Sequence, residues 1–123
     1  MATDLDQIFS RIEQLAAARG LPEVTRTTKL GTPALQVRDQ SFVRLKDADT
    51  LVMRCPPEQK TLLMEISPDI YFETDHYVGH AAVLIQLAVI SDEELSLRLE
   101  DAWRFKAPKQ LAAQRPTAIP DPD

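Results

Sequence analysis

A chain of 123 residues is the size of one domain and is long enough to close a hydrophobic core without disulfides or metals. Its 44% hydrophobic and 27% charged residues, with 3 glycines, exclude collagen-like, disulfide-framework and largely disordered classes. A net charge of −5 is the opposite of the basic excess that marks a dedicated nucleic-acid binder.

In chain order, Leu5, Ile8, Phe9, Ile12, Leu15 and Ala16 recur at helical spacing behind a cap at Thr3 or Asp4, and Gly20 followed by Pro22 ends the run. Four short β-rich segments follow, at 24–28, 34–38, 41–46 and 50–55, separated by the turn chemistry of Gly31-Thr32-Pro33, Asp39-Gln40 and Asp47-Ala48-Asp49. Connections this short predict an antiparallel meander. Pro56-Pro57 ends the fourth strand and opens a second helix, whose Leu62, Leu63 and Ile66 are expected to face inward until Ser67-Pro68 closes it.

An aromatic and polar loop spans 69–80. The run 82–90 is apolar on both faces, as a strand in the middle of a sheet requires. Ser91 and Glu94 have the spacing of a capping box and open a third helix, with Leu95, Leu99, Ala102 and Trp103 as its buried stripe and Pro108 at its end. Residues 114–123, rich in proline and aspartate, are expected to form a flexible tail on a single domain of residues 1–113. The order α-β-β-β-β-α-β-α is an α+β pattern: a mainly antiparallel sheet with helices packed on one face.

Cys55 is the one cysteine and has no internal disulfide partner; the start Met1-Ala2-Thr3-Asp4 has neither the basic residues nor the apolar run of a signal peptide. The apolar stretch 81–90 is half of the roughly 20 residues a membrane-spanning helix needs. A cytoplasmic protein that meets no membrane is the expectation.

Charge is unevenly placed, with 7 basic and 5 acidic residues over 22–60 against 1 and 8 over 61–100. Strand alternation turns Leu35, Val37, Val43, Leu45, Leu51 and Met53 toward the helices. Gln36, Arg38, Arg44, Lys46 and Arg54 then face the other way with Phe42 and Val52, a basic surface with no acid in it. Arg104, Lys106 and Lys109 add to it from the end of the third helix. Arginines along a sheet can lie on phosphates, releasing counterions, and an aromatic among them can stack on a base. The bland alternative is an ordinary solvated sheet face, with helix cations answering the helix dipole.

A second candidate is the loop that carries Tyr71, Asp75, His76, Tyr77 and His80. Its imidazoles, with Glu73, Asp75 or a distant Cys55, are chemically suited to zinc, but Gly79 argues against a helix that would set both rings on one face, and no metal ligand is assigned. The chain has no nucleophile elbow, and Cys55 shares a strand face with Leu51 and Met53, the position of a small buried residue. Isolated glycines build no phosphate loop, and no cofactor is expected.

Leu30-Gly31-Thr32-Pro33-Ala34-Leu35-Gln36-Val37, Phe42-Val43-Arg44-Leu45, Leu51-Val52-Met53-Arg54-Cys55, the run Phe72-Glu73-Thr74-Asp75-His76-Tyr77-Val78-Gly79 and Ala102-Trp103-Arg104-Phe105-Lys106-Ala107-Pro108-Lys109 together resemble the MmcQ/YjbR family of small bacterial proteins, over residues 5 to 113. The resemblance implies a CyaY-like α+β fold and a DNA-binding role through hairpins on or beside which Arg38, Arg44, Lys46 and Arg54 would lie. The likeness of that fold to frataxins does not carry iron binding with it, because Asp4, Asp6 and Glu13 are too few for an acidic ridge. The leading expectation is a non-catalytic binding module with weak, salt-sensitive affinity for DNA. The alternatives are a protein-interaction or self-associating domain, and a small-molecule or metal-dependent enzyme built on the 71–80 loop.

Overall fold

The computed structural model describes residues 4–114. Helix α1 (Leu5–Arg19) starts at Asp4, whose carboxylate accepts from the Asp6 and Gln7 backbone N–H groups, and stops at Gly20, whose φ of +70° is the left-handed cap glycine tolerates best. Strands β1 (Val24–Lys29), β2 (Thr32–Val37), β3 (Gln40–Leu45) and β4 (Thr50–Arg54) form the expected antiparallel meander. Helix α2 (Pro57–Ile66) follows, then β5 (Tyr71–Phe72), β6 (Ala82–Gln86), α3 (Asp92–Lys106) and α4 (Lys109–Gln114). The sheet order is β1-β2-β3-β4-β6-β5, antiparallel throughout. This is the α+β architecture read from the sequence, with a two-residue edge strand and a short last helix added.

The core lies between the sheet and the helices. Phe9 and Ile12 of α1 and Leu95, Leu99 and Trp103 of α3 meet Leu35, Val37, Val43, Leu45, Leu51 and Met53 of the strands, all at most 3% exposed. The α3 stripe is therefore as expected, and the Trp103 indole N–H donates to the Pro22 carbonyl at 2.9 Å. Arg11 ties α1 to the turn before α3, donating from Nε to Asp92 at 2.6 Å and from its terminal nitrogens to the carbonyls of Leu87 (2.8 Å) and Ile90 (2.9 Å). Cys55 is buried beside Met53 in this core.

Four local expectations are corrected. Phe42, expected on the open face, is 0% exposed in the main core, because the β2–β3 register shifts between Leu35 and Gln36 and the bulge breaks the alternation that would have turned it outward. In α2, Leu63 faces inward, but Leu62 and Ile66 are 53% and 67% exposed, and the position one turn before Leu63 is filled by buried Lys60. The strand predicted over 82–90 ends at Gln86, with Val89 and Ile90 N–H groups turning back to the Gln86 carbonyl. The capping box is half made: Ser91 accepts from the Glu94 N–H at 3.1 Å, while the Glu94 carboxylate takes the Tyr71 hydroxyl. Of the expected tail, residues 115–123 lie outside the described residues.

The sheet's other face is not open across its width. Tyr77, from a single 3-10 turn (Asp75–Tyr77), packs with Phe72 on Val52, Ala82 and Leu84, forming a second, smaller core. The segment 73–80 thus roofs β4 and β6. Its anchor is Lys60, whose ammonium sits 2.6 Å from Glu73 Oε1 and donates to the carbonyls of Tyr77 (2.8 Å) and His80 (3.0 Å). Among the described residues, no helix is long and apolar enough to cross a membrane.

Candidate functional site

Beside that roof, the uncovered part of the face forms a cleft of about 520 Å³. The β1–β2 hairpin tip (Lys29, Leu30), Asp39 of the β2–β3 turn, Gln40 to Arg44 of β3, Val52 and Arg54 of β4, and Lys106 from the last turn of α3 line it. Four cations, Lys29, Arg44, Arg54 and Lys106, face one carboxylate, Asp39, so the face read as free of acid contains one and keeps three net positive charges. None of these four cations is in an ion pair among the described residues.

Arg44 is the most constrained of the four. Its guanidinium donates to Tyr77 Oη at 2.9 Å, to the Leu45 carbonyl at 3.2 Å and to Thr32 Oγ1 at 3.3 Å. All three acceptors are neutral, so the side chain is held in place while its charge stays uncompensated. Arg44 lies opposite Val52, and Arg54 follows two residues later on the same strand face. Strand geometry then sets the two Cα atoms roughly 9 Å apart: about 7 Å along the strand and 5 Å across it.

The other cations proposed from sequence are placed differently. Arg38 makes a two-pronged pair with Glu23 at 2.8 and 3.1 Å, and the side-chain hydrogen bond from Arg38 holds the Glu23 carboxyl below its usual range. Lys46 lies 3.9 Å from Asp47 beyond the end of β3. Arg104 is bound to buried Glu100 at 2.8 Å, within α3. Lys109 opens α4 and does not line the cleft. The structure thus brings together Arg44, Arg54 and Lys106, and adds Lys29, which the sequence reading passed over although it flanks the Leu30-Gly31 turn.

The second candidate set divides. Tyr71 is 1% exposed, and burial, then its hydrogen bond to Glu94, pushes its phenol above the ordinary tyrosine range. Tyr77 is the Arg44 partner. His76 and His80 lie with near-parallel rings, centroids 5.7 Å apart, and the Tyr77 ring stands edge-on to both. Among the described residues, no three His, Cys, Asp or Glu side chains come together in a way that could hold a metal ion. Burial pushes the Cys55 thiol up to about 11, away from the thiolate a nucleophile needs.

Lys60 escaped the sequence reading, which assigned the inward side of α2 to its apolar residues. The usable signal was spacing, since Lys60 precedes Leu63 by three residues and so shares its helical face.

Over 52 residues the chain is 42% identical to uncharacterized proteins of Mycobacterium tuberculosis and Mycobacterium bovis, which is 42% of this chain and 40% of each relative. The match therefore spans two fifths of the length of these curated relatives, whose names record no activity. No solved structure matches significantly. The family model described as YjbR matches residues 19–105, the segment that carries the whole sheet and α3 as far as Phe105. With the meander, the roofed sheet and the cationic cleft all built from that segment apart from Lys106, the chain belongs to the YjbR family.

Proposed function

We propose that this protein is a non-catalytic binding module for nucleic acid, with DNA phosphates lying on Lys29, Arg44, Arg54 and Lys106. The observation that carries the reading is the uncompensated charge of these four side chains in one cleft, against a chain of net charge −5. Elsewhere the cations are largely spent on carboxylates, as in Arg11–Asp92, Arg26–Glu13 and Arg38–Glu23. The acidic remainder of the surface repels a polyanion, which makes the affinity weak and strongly salt-dependent. The CyaY-like fold and bacterial origin implied by the resemblance, and the cytoplasmic setting expected from the sequence, belong to the same proposal.

Titration of a fluorescent oligonucleotide at several salt concentrations tests it. Four phosphate contacts give a slope of log K against log salt of about −3 to −3.5. Arg44→Ala and Arg54→Ala each lower the slope by about one contact. Arg38→Ala leaves it unchanged, because Glu23 already neutralises that side chain. No binding at low salt, or binding indifferent to Arg44 and Arg54, refutes the proposal.

A further inference from the structure

Arg44 sits in the middle of three strands, opposite Ala34 of β2 on one side and Val52 of β4 on the other. Thr32, two residues before Ala34, shares that strand face, and Tyr77 packs on Val52. The guanidinium thus has a hydroxyl oxygen on each flank. With the Leu45 carbonyl, these partners use at most three of its five N–H groups, and they leave Nε–H and one Nη2–H for an oxygen from outside.

The two hydroxyls differ in how firmly they are held. Thr32 is half-buried next to a hairpin turn, and its bond to Arg44 is the longer, 3.3 Å against 2.9 Å. Tyr77 is 7% exposed and fixed at every part. Its ring packs with Phe72 on the second core and stands edge-on to His76 and His80, at 5.0 and 5.9 Å between centroids. Its N–H donates to the Thr74 carbonyl, and its carbonyl accepts from the Lys60 ammonium, both at 2.8 Å. None of residues 73–80 lines the cleft, so the roof reaches the site through this one phenol.

Resting on the nucleic-acid reading above, we infer that Tyr77 is a positioning residue for phosphate recognition: its hydroxyl sets the Arg44 guanidinium in the cleft before the ligand arrives. A flexible arginine loses its rotamer freedom when it grips a phosphate, whereas one already fixed has little left to lose. Arg54 supplies the contrast within the same cleft. Among the described residues, no side-chain hydrogen bond or ion pair holds it.

The test is a double-mutant cycle on the intact protein, read with a fluorescent oligonucleotide in whichever form, single strand or duplex, the parent binds more tightly. Urea midpoints and Trp103 emission establish that each chain is folded under the binding conditions. Tyr77→Phe keeps the packed ring and should weaken binding about three- to tenfold, the worth of one side chain's freedom. The salt slope should stay at the parent's value, because the guanidinium keeps its charge. In an Arg44→Ala background the same substitution should change affinity less than about twofold, and in an Arg54→Ala background the full loss should return. A hydroxyl that served stability alone would lower the urea midpoint and leave affinity where it was. Affinity unaltered by Tyr77→Phe, or a loss that persists at full size with Arg44→Ala or vanishes with Arg54→Ala, overturns the inference and leaves the nucleic-acid reading standing. Failure of the parent to bind either form overturns both.

Discussion

Lys60→Met removes one ammonium and keeps most of the side chain's apolar stem. The Lys60 side chain is 7% exposed, and its charge meets the Glu73 carboxylate at 2.6 Å and two backbone carbonyls. Removing one partner of a buried ion pair costs about 3–5 kcal/mol, largely because the other is left uncompensated. Two features place this case at the low end. The Glu73 side chain is 29% exposed and can regain water, and the Tyr77 carbonyl still accepts the His80 N–H at 3.0 Å. The expected loss is therefore about 3 kcal/mol, a fall in Tm of roughly ten degrees or more for a domain of this size.

Urea unfolding followed by Trp103 fluorescence measures the loss directly. Lys60→Arg should not restore the parent value, since a planar fork does not fit a cage built around a compact ammonium. A loss below about 1 kcal/mol would show that the lysine behaves like a surface ion pair and that the 73–80 roof does not hang on it.

Trp103→Ala should cost about 3–5 kcal/mol, from a fully buried ring and its bond to the Pro22 carbonyl, and the parent's emission should be blue-shifted and resistant to quencher. Red-shifted emission would contradict the packing described. Cys55 should resist thiol reagents in the folded protein and react once urea unfolds it. Because its folded-state pKa is raised, its contribution to stability is complete below the unfolded value near 9 and is lost as pH rises toward about 11. A Cys55→Ser chain whose stability falls just as steeply over that window would show that another group is responsible.

The legible parts of this fold are those written in local spacing. The Asp4 and Gly20 caps and the four-residue steps of the α3 stripe each need only neighbouring residues, and each is where the pattern put it, while the first two turns of the meander fall one residue earlier than expected, at Leu30-Gly31 and Arg38-Asp39. What stayed hidden depends on distant partners. Alternation places Phe42 outward until the register shift against β2 intervenes, and no local pattern announces that shift. A lysine reads as surface until Glu73 and two carbonyls from a later loop are found around it.

The same limit applies to the site. Arg44 and Arg54 follow from alternation within β3 and β4, but two of the three neutral partners that hold Arg44, Thr32 and Tyr77, lie outside its own strand. Arg38 and Arg104 looked equivalent to them in sequence. Their carboxylate partners, Glu23 fifteen residues away and Glu100 one helical turn away, separate them.

The Arg11 clasp has a consequence for how the chain is made. Its partners lie 76 to 81 residues further along, as Trp103 lies 81 residues beyond Pro22. The first helix therefore leaves the ribosome with Phe9 and Ile12 bare, and the helix that will shelter them has yet to be translated. At bacterial or eukaryotic elongation speeds that interval lasts on the order of 4 to 16 seconds. The meander can pair during that wait, since its hairpins are local. The helix can rest on β1 and β2 meanwhile, but its contacts with α3 form only at the end, so the fifteen residues of α1 complete their packing long after they are made.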